Sequence, residues 1–278
     1  MADPTFYEVL SAAIAEISET GYTSAERLKY WQDRLAEAAN RSLKAPAEMQ
    51  RMLQEALYSI YRKLVERDGW LKYHPGVDKF GLDRVRANLR TELDRRILAS
   101  ADLIKLHRER AIAQTLQRFS GWATSIPIGG SAAPEKVATK VNIRKALAQL
   151  PFEDRRVLID QGHKLVSSIN DVIAVGNGAI AGIWHSHGET QPGYNYRPDH
   201  LARARKVYAI RGCWAIEKGL MKVGPAGYTD QITQPGEEVY CRCFYTYLYN
   251  LGSLPDDMVT KKGRDILSSV KAEMAQYA

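Results

Sequence analysis

Cysteine is scarce in this chain. Three are present in 278 residues, Cys213, Cys241 and Cys243, all in the last quarter. An odd count without framework spacing excludes a disulfide-stapled secreted fold. The start, MADPTFYEVL, lacks a basic segment followed by an apolar core, so no secretory signal is expected. No apolar run reaches the ~18–20 residues that span a bilayer. The longest, VIAVGNGAIAGIW at 172–184, is broken by Asn177. These absences predict a protein made in a reducing cytosol and without a membrane partner. Gly (20) and Pro (11) show no period, which excludes collagen-like repeats. The phosphate-binding G-x-x-x-x-G-K-S/T, a G-x-G-x-x-G after a strand and the G-x-S-x-G nucleophile elbow are all missing from the sequence.

What is present reads as globular. Hydrophobic residues make up 45% and charged residues 26%, too apolar for a disordered chain. Lys+Arg (39) exceed Asp+Glu (32) by enough to give +7, a mild excess compatible with a nucleic-acid neighbour. The first 120 residues carry helical periodicity. Thr23 and Glu26 have capping-box spacing, and Leu28, Trp31, Leu35 and Ala38 follow on one face. Pro46 suits a first helical position, ahead of Met49, Met52, Leu53, Ala56, Leu57, Ile60 and Leu64 on one stripe. Residues 67–81 read as a loop. From Leu82 a helical pattern runs through Leu89, Ile97 and Ile104 to Phe119, about 55 Å if unbroken. It fits either two helices of a bundle or one extended arm.

Gly129, Gly130, Ser131 and Pro134 mark 121–140 as a linker. A helix is expected at 141–150, with Pro151 opening the next segment. Beyond Gly176 the helical period fades. Residues 206–210 and 238–249 look like strands, the second alternating Val239, Cys241, Cys243, Tyr245 and Tyr247 on one side. A helix is expected within 256–277. The fold class that follows is α+β: a mostly helical N-terminal region with a long helix, then a small mixed C-terminal domain with a short antiparallel sheet.

Chemistry-bearing residues concentrate in 183–244, where three of the six histidines and all three cysteines lie. Imidazole and thiolate are zinc's preferred ligands. His185 and His187 are two apart, as are Cys241 and Cys243, so on strands each pair shares a face. Two hairpins would bring His185, His187, Cys241 and Cys243 around one ion, making zinc a possible cofactor. The plainer alternative is cysteines in a core and histidines in hydrogen-bonded loops. His187-x-Glu189 is similar to the zinc-deaminase H-x-E, but the P-C-x-x-C partner is missing. His185-Ser186-His187 with Asp199 is similar to the isopeptidase-type zinc hydrolase pattern, in which two His and one Asp leave the fourth position for water. Gly188 and Tyr196 stand where that pattern has Pro and Ser.

A basic run, Arg197, Arg203, Arg205, Lys206 and Arg211, continues to Lys218 and Lys222. It suits either sequence-independent phosphate contact or a solvated face. Phe244, Tyr245, Tyr247 and Tyr249 suit base stacking or a sheet core.

The order of features carries more than any one of them. Arg155, Asp160 and Lys164 lead through Asn170 and Gly176 to Trp184. Arg197-x-x-His200 follows, then Gly212 and Gly219, and last Pro235-Gly236-Glu237 before Cys241-Arg242-Cys243. This order resembles the phage head morphogenesis family, the Mu protein F-like minor head proteins, over residues 152–247. The chain differs from the family pattern at Leu158-Ile159-Asp160 and at 193–197. The resemblance implies a low-copy structural protein of a tailed-phage virion, acting in procapsid assembly, with no catalysis. Its partners would be the portal protein or the major capsid protein, and packaged double-stranded DNA. Residues 1–120 would then dock on portal or capsid, 121–140 link, and 141–278 form the minor head domain. The expected location is the virion interior or portal vertex, after synthesis in the host cytoplasm.

Overall fold

The computed structural model describes residues 3–131, 137–187 and 197–276. The chain is α+β, with a long helix and a small antiparallel sheet; two of its strands, at 207–209 and 244–248, fall within the segments expected, and the third, at 181–185, lies outside them. It divides into two compact units, and each is built from two stretches of chain. One comprises 1–54 with 97–158, the other 55–96 with 159–278. The sequence boundaries near 120 and 140 are therefore not the boundaries of the units. The two longest helices, α4 (Lys79–Ala123) and α5 (Val137–Gly176), each give one part to each unit.

In the first unit, α1 (Phe6–Thr20) starts at a capping box in which the Thr5 hydroxyl accepts from the Glu8 N–H and the Glu8 carboxylate accepts from the Thr5 N–H at 2.7 Å. α2 (Ala25–Ser42) is capped one residue later than its spacing suggests. Ser24, not Thr23, accepts the Arg27 N–H. The anticipated stripe of α2, Trp31, Leu35 and Ala38, is buried against Leu10, Ala13, Ile14 and Ile17 of α1 and Phe119 of α4. The unit also holds the start of α3 (Pro46–Tyr61).

α4 is one helix of 45 residues, about 67 Å long, rather than two. Pro151 lies inside α5 instead of opening a segment; its fixed φ suits a helix, and one backbone hydrogen bond is forgone. The described part of the expected linker is fastened down: Gly129 and Ser131 donate backbone hydrogen bonds to the Thr20 and Ser18 carbonyls at the end of α1. Pro134 lies outside the described residues.

The second unit carries the sheet, β1 (Ala181–His185), β2 (Val207–Ala209) and β3 (Phe244–Leu248), in the order β2-β1-β3 and antiparallel throughout. Its register sets Trp184 opposite Tyr245 and His185 opposite Phe244. The core gathers Trp184, Tyr208, Tyr245, Tyr247, Leu248 and Met258. Here the tyrosines serve as sheet core, and the Tyr247 hydroxyl donates to Asp171 of α5 at 3.0 Å. Two short helices, α6 (Pro198–Ala202) and α7 (Trp214–Glu217), punctuate the loops, and α8 (Lys261–Gln276) closes the described chain.

The strand expected over 238–249 is shorter than its alternation suggests. Residues 235–243 form turns, because Gly236 (φ 80°) and Tyr240 (φ 60°) reverse the backbone. Cys241 and Cys243 therefore precede the strand and do not lie on it.

Candidate metal centre

Three segments of the second unit converge on the cysteines. β1 delivers Trp184, fully buried, and then Ser186. α6 begins at Pro198, a good first helical residue, and carries His200 on its inner side, 3% exposed. The turn 235–243 supplies Cys241 and Cys243 and is anchored on α5 at two points. Ser167 donates its hydroxyl to the Pro235 carbonyl, and Asp160 accepts the Tyr240 N–H. Gly236 is required at its position by the left-handed φ and by Ser167 Cβ, which would lie 3.1 Å from an added Cβ.

His200 is the hub. Its Nδ1 lies 3.5 Å from Cys241 Sγ and 3.5 Å from Cys243 Sγ. Its ring meets Trp184 edge-on, with centroids 5.4 Å apart. Nε2 points to carboxylates, 3.6 Å from Glu238 Oε1 and 3.8 Å from Asp199 Oδ2. Arginines hold those carboxylates in turn: Arg197 pairs with Glu238 at 2.6 Å, and Arg203 pairs with Asp199 at 2.8 Å while lying over the Trp184 ring.

The two thiols divide their protons unequally. Cys241 ionises readily, its pKa pulled down to about 5 by the Cys243 thiol that hydrogen-bonds to it, with the Gly236 N–H helping. Cys243 holds its proton more tightly than a free thiol, because it donates to Cys241 and because it is buried. The two sulphurs and the His200 ring thus lie together in the interior, with all three residues buried.

His200, Cys241 and Cys243 form one group whose ligand atoms all lie within 4.8 Å of one another, and Asp199, His200 and Glu238 form a second. This corrects the expected quartet. The cysteines do converge, but their imidazole is His200, not His185 or His187. His185 sits at the end of β1, where its Nε2 is 3.0 Å from Thr246 Oγ1 and its ring stacks on Phe244 at 4.8 Å. β1 ends at His185, so strand alternation no longer relates His187 to it. His187 meets the site through its backbone N–H, which faces Cys243. Nor do His185, His187 and Asp199 form a ligand group among the described residues. Glu189, Gly188 and Tyr196 of the two zinc-enzyme patterns lie outside the described residues.

The basic run is largely committed to protein partners. Besides Arg197 and Arg203, Arg211 pairs with Asp230 at 2.7 Å and lies over the Tyr228 ring. Arg205 and Lys206 are exposed. One contributor, Glu238 behind the His200 ring, had no functional assignment in the sequence; Ser186, the middle of His185-Ser186-His187, is buried beside Cys243. His200 itself was legible only as the last residue of Arg197-x-x-His200.

No protein-family model, curated protein or solved structure matches the chain.

Proposed function

We propose that the protein is a minor head protein of a tailed bacteriophage, a structural component of head morphogenesis that resides in the virion after synthesis in the host cytoplasm. One observation carries the reading. The features that resemble the Mu protein F-like family, scattered over some 60 residues of sequence, are neighbours in space: Trp184 touches His200, and His200 touches both sulphurs of Cys241-Arg242-Cys243. A motif whose members pack on one another behaves as a structural knot.

The burial of the knot favours a non-catalytic role. His200, Cys241 and Cys243 are 3%, 4% and 8% exposed, which leaves a peptide substrate no approach. The helical unit offers docking positions: Leu98 and Leu106 on α4 and Phe152 on α5 are each more than half exposed, suited to helix-in-groove contacts with a portal or capsid subunit. Packaged DNA is the lesser partner in this reading, since Arg197, Arg203 and Arg211 already pair with carboxylates.

Mass spectrometry of purified virions, with co-purification of the tagged chain against portal and major capsid proteins, tests the assignment. The chain is expected in the particle at low copy. Its absence from particles, together with hydrolysis of isopeptide substrates by the purified protein, would overturn the reading.

A further inference from the structure

We propose that His200 Nδ1 and the thiolates of Cys241 and Cys243 bind one zinc ion, whose remaining position is taken by water. This site stands independently of the virion assignment. In a tetrahedral site with Zn–S of about 2.3 Å and Zn–N of about 2.0–2.1 Å, the nitrogen-to-sulphur edge is about 3.6 Å. Both such edges here are 3.5 Å. Hydrogen bonding alone explains this arrangement poorly. Nδ1 forms one in-plane hydrogen bond, so it serves only one of the two equidistant sulphurs, and the sulphurs are otherwise bonded to each other. A cation between the three atoms satisfies all of them.

The far side of the ring fits the same assignment. A histidine that ligates through Nδ1 carries its proton on Nε2 and donates it to a carboxylate or carbonyl, which fixes the tautomer. His200 Nε2 has no hydrogen bond of ordinary length among the described residues, yet Glu238 Oε1 stands 3.6 Å away, within a small adjustment of one. Ser186, buried and hydrogen-bonded to Cys243, adds a further polar group beside the sulphurs. Charge agrees as well: two thiolates against Zn2+ with a neutral imidazole and a water sum to zero, the total a buried site tolerates best. Binding requires both thiols to lose their protons to solvent as the ion enters, with no change of oxidation state.

The ion would join α6 to the turn 235–243. It would do so across about 40 residues of sequence and from C-x-C spacing, which is atypical for zinc clips because the turn itself does not wrap the metal.

The test uses the purified full chain, kept reduced. Elemental analysis should find one zinc per chain. Cobalt(II) exchanged for zinc should show thiolate-to-cobalt charge transfer and the visible bands of a tetrahedral ion. Cys241→Ser, Cys243→Ser and His200→Asn should each lower zinc affinity at least tenfold, and Glu238→Gln should lower it by about 10–100-fold. Cys213→Ala and His185→Ala should keep full stoichiometry. The proposal is overturned if the unmodified protein holds no zinc and gives no cobalt–thiolate band, or if the Cys241→Ser/Cys243→Ser double variant keeps its metal. The cobalt spectrum of the unmodified chain decides the matter even where a variant fails to fold.

Discussion

Asp160 accepts the backbone N–H of Tyr240 at 2.6 Å, across 80 positions of sequence. Tyr240 has a left-handed φ of 60°, a conformation that costs a non-glycine residue of order 1 kcal/mol and persists only where its surroundings hold it. The next residue is Cys241. Asp160, itself 5% exposed and 3.3 Å from Lys164 Nζ, thus sets the backbone from which the first thiol projects. Asp160→Ala strands a part-buried amide and a nearly buried ammonium, and it is expected to lower stability by about 2–3 kcal/mol. It should also weaken zinc binding without touching a ligand. Urea denaturation and a zinc titration of the same variant check both. An Asp160→Ala protein with unchanged stability and unchanged affinity would refute the positioning role.

Acid should loosen the second unit through His74. This side chain is fully buried, with Nδ1 2.7 Å from the Tyr249 hydroxyl and Nε2 3.1 Å from Asn170 Oδ1. The Asn170 oxygen only accepts, so Nε2 carries the proton and Nδ1 accepts from Tyr249. Burial pushes the imidazole pKa from 6.5 down to about 4, against the milder upward pull of Asn170. Between these values the unfolded chain binds a proton that the folded chain refuses. Stability is therefore complete above pH 6.5 and falls by about 3 kcal/mol as pH drops towards 4. His74→Gln, compared with the parent across that window by chemical denaturation, should remove this part of the slope; an identical slope in both proteins contradicts it.

Gly263 on α8 opposes helix propensity to packing. Alanine is favoured over glycine in a helix by roughly 1 kcal/mol. A Cβ at 263, however, would land on the Leu220 carbonyl oxygen, a backbone atom that cannot swing aside. The clash should win, so Gly263→Ala is expected to destabilise by about 1–3 kcal/mol and to free α8 for limited proteolysis. A more stable alanine variant would mean that α8 shifts without cost.

Removing zinc should cost stability in proportion to its occupancy. A ligand held at 100 times its dissociation constant contributes about 2.7 kcal/mol. Chelation of the zinc-loaded chain should then lower the melting temperature by at least about 5 °C, and Cys241→Ser should show a smaller response to chelator. Equal melting curves with and without chelator would remove the ion's structural role.

Local periodicity made much of this molecule legible. Trp31, Leu35 and Ala38 are buried as their 3-4-3 spacing requires, and the alternation of Tyr245 and Tyr247 marks the inner face of β3. The same logic misled at 238–243, where alternating residues lie in turns, because a positive φ at Tyr240 leaves no trace in hydrophobic pattern. It misled again at His185 and His187, where the pattern does not say that the strand stops between them. α4 could be read as one helix or two, since periodicity alone does not tell whether the chain turns back.

The sequence by itself determined the α+β class, the helical stripes, the lack of a membrane-length apolar helix and the neighbourhood in which chemistry would be found. Those properties depend on residues a few positions apart, whose side-chain directions follow from helix and strand geometry. Tertiary structure alone decided that His200 joins the cysteines, that Glu238 backs its ring and that Asp160 sets the turn. Each of those choices is a contact between separate segments, made by the packing of α5 and α6 around the turn and not by any spacing along the chain.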